Sequence, residues 1–248
     1  MAYPQQRVFL VPGLVTRRQA SAYSADPCGS WGIYGKDAGG AGEEELLLGA
    51  GKSGLAPSSW SRDGRYLLYE SGNAQVYGSS GSQKDAFLLP LTGSPEERKP
   101  VPYLQSPFRK LNAQFSPDGK WVAYESDESG RDEVYIQTFP STGARWQVSD
   151  KGGTQARWRG DGREVFFIND TTQRLWTAGI RASAGRVEIE TPRPLFPVVL
   201  FPGPAYLYDV THTRTVSAYR GRLAAWRQGA QGSSAINIVS DWPAGLKK

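Results

Sequence analysis

A ten-residue pattern occurs three times in this chain of 248 residues and narrows the folds open to it. Trp60-Ser61-Arg62-Asp63-Gly64-Arg65-Tyr66-Leu67-Leu68-Tyr69 matches Phe115-Ser116-Pro117-Asp118-Gly119-Lys120-Trp121-Val122-Ala123-Tyr124. Both match Trp158-Arg159-Gly160-Asp161-Gly162-Arg163-Glu164-Val165-Phe166-Phe167. The copies start 55 and 43 residues apart, near the period of about 40–50 residues at which four-stranded sheets repeat. The aromatic residue ends a short strand with period-2 patterning, as in Ala113/Phe115 and Ala156/Trp158. The next four positions reverse the chain: Asp caps a type I turn and Gly takes the left-handed position after it. The following strand is apolar at consecutive positions, which marks it as covered on both faces.

A third strand is expected in each copy at 86–89, 134–136 and 175–178, and a weaker fourth at 101–104, 146–148 and 195–196. Four antiparallel strands per unit, repeated, predict an all-β fold: a β-propeller of four-stranded antiparallel blades, incomplete or irregularly closed. Residues 31–34 and 43–48 read as two outer strands of a partial blade. At 208–211 a further repeat begins, but His212, Thr213 and Arg214 stand where Pro-Asp-Gly is expected, and without glycine the left-handed turn is disfavoured. Alternation is lost over 213–232 and resumes as a strand at 235–239. Residues 1–29 are patternless and read as an irregular N-terminal segment. The propeller domain is then 30–248, with blades at 30–50 (partial), 55–105, 111–150, 154–200 and 206–243 (degenerate). Two readings of the ends stay open: divergent sequence, or out-of-frame translation of a damaged gene.

Charge and composition exclude several classes. The net charge of +5 is confined to the ends, +2 over 1–31 and +5 over 212–248, leaving −2 in the patterned middle. A nucleic-acid surface needs a basic stripe on the folded face, so no nucleic-acid partner is expected. No apolar run approaches the roughly 18 residues of a membrane span, and the N-terminus lacks the pattern of a signal peptide. One cysteine, Cys28, excludes an intrachain disulfide and a cysteine-rich zinc site.

The aromatic-Ser-Pro-Asp-Gly-basic pattern resembles the WD-like repeats of the TolB β-propeller family, over about 30–211. The stretch 118–147 and the ending Trp242-Pro243-Ala244-Gly245-Leu246-Lys247-Lys248 resemble the C-terminal propeller of bacterial receptor-type serine/threonine protein kinases. The resemblance implies an extracytoplasmic module that binds or senses a protein, a peptide or a small polar ligand, without a cofactor. It also implies that the strand before each Asp-Gly turn is the inner one. Residues alternating there with the apolar ones are Asn112, Gln114, Gln155 and Arg157. These amides and the Arg fork would hold a polar or anionic ligand at the channel end, or else hydrogen-bond blade to blade.

Motifs for chemistry fail on a required member. His-Arg-Asp and Asp-Phe-Gly, needed for phosphate transfer, are absent, as is the Gly-x-Ser-x-Gly elbow of a serine hydrolase. The alternative is therefore the regulatory propeller of a prolyl-oligopeptidase-type hydrolase whose catalytic domain is not in this chain. Gly49-Ala50-Gly51-Lys52-Ser53-Gly54 has the GxGxxG spacing, but Pro57 follows and a strand is expected where a phosphate site needs a helix. Asp127, Glu128, Asp132 and Glu133 read as a solvated hairpin, not a metal cage. Asn169-Asp170-Thr171 formally matches a glycan acceptor, and the single histidine, His212, reads as a solvated loop residue.

Overall fold

The computed structural model describes residues 15–17, 20–25, 31–37, 43–51, 54–72, 85–94, 97–183, 186–200, 208–210, 216–218, 223–225 and 238–239. The chain divides into two compact units, Met1–Ala113 and Gln114–Lys248. The first holds two meanders. One is β1 (Val15–Arg17), β2 (Ala20–Ala25), β3 (Trp31–Asp37) and β4 (Glu45–Gly51); the other is β5 (Gly54–Trp60), β6 (Tyr66–Gly72), β7 (Asp85–Pro90) and β8 (Val101–Leu104). All neighbours within them pair antiparallel. The unit boundary falls inside β9 (Lys110–Phe115), which forms a sheet with β10 (Trp121–Ser126), β11 (Glu133–Thr138) and β12 (Arg145–Gln147). The fourth sheet is β13 (Thr154–Trp158), β14 (Glu164–Asn169), β15 (Arg174–Ser183) and β17 (Arg193–Leu200). The far half of β15 also pairs with β16 (Arg186–Ile189).

The strands that follow depart from the repeat. β18 (Tyr208–Val210) and β19 (Val216–Ala218) form an antiparallel pair, β21 (Ile238–Val239) joins β19 in parallel, and β20 (Leu223–Ala225) is added to β17. The degenerate blade expected at 206–243 is thus three short strands with one parallel pairing, among the described residues. A second correction concerns the N-terminal end. Segment 1–29, read as irregular, supplies β1 and β2, so the expected partial blade is a four-stranded sheet. The alternation is real in β2, where Ala22 and Ser24 are buried. Small side chains gave it too little contrast in apolar character to be read.

The three turns show why the pattern recurs. Ser61 and Ser116 hydroxyls donate to Asp63 and Asp118 (2.7 and 2.6 Å) and accept from the N–H of Tyr66 and Trp121 (2.9 and 3.0 Å). Gly64, Gly119 and Gly162 take φ of 74, 71 and 74°. In the third copy Arg159 replaces serine, and its guanidinium bridges Asp161 and Glu164 in place of the hydroxyl. Immediately after the turns, Leu67, Leu68, Val122, Ala123, Val165 and Phe166 are fully buried, as a strand covered on both faces requires.

One cross-strand aromatic pair marks all four sheets: Tyr23 opposite Tyr34, Tyr69 opposite Phe87, Tyr124 opposite Tyr135, and Phe167 opposite Trp176. Their ring centroids lie 6.2, 5.5, 5.8 and 6.4 Å apart, stacked. Such pairs stabilise by about 0.5–1.5 kcal/mol each beyond the area they bury. In the first unit Ala22, Ile33, Leu47, Leu55, Leu67, Tyr69 and Leu89 form one apolar cluster. Among the described residues of the second unit, one cluster lies about Ile136, Trp158 and Phe167 and another about Phe166, Ile168 and Val198. No helix among the described residues is long and apolar enough to cross a membrane.

Two outcomes follow from the turns. A Cβ added to Gly119 meets nothing within 4 Å, so Gly119→Ala carries only left-handed strain. Urea unfolding should show a loss of about 1–2 kcal/mol, and an unchanged midpoint would contradict the assignment. Asp161 has its carboxyl pulled down to about 2, chiefly by the hydrogen bond from Arg159. A depressed carboxyl contributes stability above its unfolded value near 3.8, and that contribution is lost as pH falls toward 2. An NMR titration should find Asp161 near 2 in the native chain and close to its ordinary value in Arg159→Leu.

Candidate functional site

The residue after each aromatic of the second strands, Ser24, Glu70, Glu125 or Ile168, is buried in every sheet. Its chemistry decides how that sheet is tied to the next strand. Within the first unit the Glu70 carboxylate accepts the main-chain N–H of Asn112 on β9. In the second unit the Glu125 carboxylate accepts the main-chain N–H of Gln155 on β13. Asn112 and Gln155 hold the same place in the repeat, three residues before Phe115 and Trp158. Both are left-handed, with φ of 53 and 54°, a conformation that costs a non-glycine residue about 1–2 kcal/mol. The register of β13 against β14 shifts between Thr154 and Arg157, around Gln155. This bulge turns the N–H toward the carboxylate.

Where the donor is missing, the acceptor is missing too. The equivalent residue on β5 is Pro57, which has no N–H, and the preceding sheet carries Ser24, whose hydroxyl donates to the Leu55 carbonyl instead. After the fourth sheet the position is Ile168, packed in one cluster with Tyr208 and Val210. There β18 is held by the Tyr208 hydroxyl donating to the Gln155 carbonyl (2.9 Å) and by Arg157 Nε donating to the Tyr208 carbonyl (3.3 Å).

Of the four residues expected at the channel end, Gln114, Gln155 and Arg157 come together in the second unit, while Asn112 belongs to the first. Gln114 Oε1 accepts the Trp158 main-chain N–H, and its carbonyl accepts the Trp158 indole N–H, both at 3.2 Å. Arg157 is buried and also donates Nη1 to the Ala156 carbonyl (2.8 Å). All four therefore link one strand to another through hydrogen bonds, Asn112 and Gln155 through main-chain groups. The Gln114 Nε2 donor makes no hydrogen bond among the described residues.

Residues missed by sequence reasoning include Glu133 and Asn169. Glu133 is no solvated hairpin residue: its side chain is 2% exposed, and it accepts from the Ser149 hydroxyl and from the Gly152 N–H (2.9 Å). Asn169 donates to the carbonyls of Lys151 and Gly152 (2.6 and 3.0 Å) and accepts from the N–H and hydroxyl of Thr172 (2.8 and 2.9 Å). Its amide is buried and consumed, which removes it as a glycan acceptor. Together they clamp the loop between β12 and β13, where Gly152 has φ of 94° and a Cβ on Gly153 would lie 2.5 Å from Ser149 Oγ. The Gly152-Gly153 doublet was the available signal. The GxGxxG segment runs from strand β4 to strand β5 with no helix beginning at Gly54. Among the described residues no three His, Cys, Asp or Glu groups are placed to hold a metal. His212 and Cys28 lie outside the described residues.

Comparison with known proteins gives a fold. No protein-family model and no curated protein matches the chain. Among solved structures it is similar to TolB from Acinetobacter baumannii, at 19% identity and a TM-score of 0.53 over 89% of this chain and 55% of that one. A TolB of Agrobacterium tumefaciens matches at 18% identity and a TM-score of 0.52, over 70% of this chain and 61% of that one. A puromycin-hydrolyzing peptidase of Mycobacterium tuberculosis matches at 15% identity and a TM-score of 0.56, over 84% of this chain and 36% of that one. The chain thus spans less than two thirds of each of these proteins. With its antiparallel four-stranded sheets, the chain has an all-β fold of the TolB-like β-propeller kind, and the sheets are its blades.

The clamp makes a measurable demand. Glu125→Ala leaves the Gln155 N–H without its carboxylate, and should lower stability in urea by about 2–3 kcal/mol. Glu125→Gln keeps an acceptor oxygen and should lose less than half of that. Equal and small losses in both variants would show that the carboxylate is not holding the strand.

Proposed function

We propose that this chain is a non-catalytic binding propeller, in which residues of the first strands of the blades meet a protein, a peptide or a small polar ligand. The observation that carries the reading is the left-handed conformation of Asn112 and Gln155. Strain held at one repeat position by a buried carboxylate is what a preorganised contact residue requires. Main-chain N–H groups are taken by Glu70 and Glu125, which fixes the backbone that carries the two amide side chains. In this reading Gln114 contributes its unspent Nε2 donor. Arg157, bonded to two carbonyls, positions β18 and adds positive potential. The absence of the kinase and hydrolase motifs from the sequence supports a role without chemistry.

The finer setting rests on the sequence resemblance, which favours the sensor propeller of a bacterial receptor-type kinase outside the cytoplasm. Part of that resemblance, the ending at 237–248, lies outside the described residues apart from Ile238–Val239. A second reading, the access-regulating propeller of a prolyl-oligopeptidase-type hydrolase, is favoured by the likeness to the mycobacterial peptidase. We take the propeller to start at β1, ahead of residue 30, and to include 30–248.

Glycine at 112 and 155 separates binding from folding, because it keeps the N–H and accepts positive φ. The double variant Asn112→Gly/Gln155→Gly should melt within about 3 °C of the native chain. Against a panel of short peptides and polar metabolites, at least one compound should raise the native melting temperature and leave the double variant unmoved. If every active compound stabilises both proteins equally, or none stabilises either, the proposal fails.

A further inference from the structure

The fourth blade carries a second docking feature, on residues that play no part in the strand clamp. β14 pairs with β15 only as far as Glu164 opposite Gly179, yet β15 continues for four residues with β16 on its other side, Ile180 opposite Ile189 through Ser183 opposite Arg186. The Glu190 N–H donates to the Gly179 carbonyl and the Ile180 N–H to the Arg163 carbonyl (2.9 and 2.8 Å). Main-chain groups of an antiparallel strand alternate in direction. Those of Arg181 therefore face β16, and the Ile180 carbonyl and both groups of Ala182 face the side on which β14 has ended. A cleft of about 520 Å³ at this part of β15 is lined by residues including Arg159, Arg163, Glu164, Ile180, Arg181 and Glu190.

Charge in the cleft selects the occupant. Arg159 is committed to Asp161 and Glu164. The Arg163 guanidinium is exposed and makes no hydrogen bond among the described residues. Arg181 is paired with Glu190 at 2.6 Å, but the two side chains are 74% and 51% exposed, so the pair is weak and readily exchanged. The Glu190 carboxylate lies where a Cβ on Gly179 would be, 2.4 Å from that point. It therefore sits over the backbone of β15 at Gly179, within reach of the Arg181 guanidinium. We propose that this edge takes an extended acidic segment of a partner protein by β-strand addition. One of its residues would bond Ile180 C=O and Ala182 N–H, with acidic side chains on Arg163 and on Arg181 once Glu190 is displaced.

The probe is a fluorescein-labelled hexapeptide, Thr-Val-Glu-Val-Glu-Val, with a twin carrying lysine for both glutamates, read by fluorescence anisotropy on the full chain at low salt. The acidic peptide should bind saturably and at least tenfold tighter than the lysine twin. Arg163→Ala should weaken it about fivefold and Glu190→Gln should tighten it about threefold by removing the carboxylate that competes for Arg181. Ala182→Pro, which deletes only the outward N–H, should abolish binding. If it fails to fold, the Arg163 and Glu190 variants, both of exposed side chains, decide the matter. Equal affinity for the two peptides, indifference to both charge variants, or no saturable binding overturns the proposal. None of these outcomes touches Asn112 or Gln155, so failure here leaves the first-strand reading standing.

Discussion

Near the start of β9 and of β13 one main-chain N–H faces the preceding sheet and lies outside the strand ladder. Two buried carboxylates answer that need. Glu70 and Glu125 accept N–H groups from Asn112 and Gln155 in a region where an unpaired carboxylate or donor would cost several times what the bond contributes. The left-handed turn at Asn112 and Gln155 and the bulge in β13 are consequences of meeting this geometry. Neither conformation would persist without a partner strong enough to offset it, and a charge-assisted bond has the required strength.

The same position in the other two blades shows that the demand belongs to the architecture and not to glutamate. Pro57 has no N–H to offer, so a carboxylate before it would be stranded; Ser24 stands there and donates to a carbonyl. Ile168 abandons polarity and packs with Tyr208, while the polar link passes to Arg157 and the tyrosine hydroxyl. Donor, acceptor and apolar contact change together, which keeps the buried polar groups at this position satisfied. The substitution of Ser by Arg159 in the third turn obeys the same rule, since the guanidinium bonds the aspartate that the hydroxyl bonds elsewhere.

Much of the fold was legible because turns write themselves in glycine and aspartate. The third and fourth strands of the repeats stand within a residue or a few of where alternation put them, and the fold class follows from their number. β2 was missed because Ala and Ser mask an alternation that burial makes plain, although Tyr23 sits where Tyr69, Tyr124 and Phe167 sit. β18 and β21 fall inside the segments expected at 208–211 and 235–239, but β19 and β20 could not be placed, since neither a glycine turn nor an apolar rhythm marks them. At the candidate site the structure adds main-chain roles to the residues named from sequence. Side chains of Gln114 and Arg157 were expected to bond between blades or to a ligand, and both bond between strands. The contribution of Asn112 and Gln155 is a main-chain N–H at positive φ. No side-chain pattern announces that, and the carboxylates receiving it were read only as ends of apolar strands. Glu133 was misjudged because its hairpin is charged on paper, while its own side chain points inward to Ser149 and Gly152.

A propeller tied in this way presents rigid first strands, which suits the contact role proposed for it. Function then depends on whether the clamp holds in solution. Native-state hydrogen exchange at the Asn112 and Gln155 amides tests this most directly. If Glu70 and Glu125 hold them, both should exchange as slowly as the ladder amides of β14, despite lying at irregular points of their strands. Exchange at the rate of an exposed turn amide would mean that the carboxylates do not bind them, and that the strained first-strand conformation has another cause.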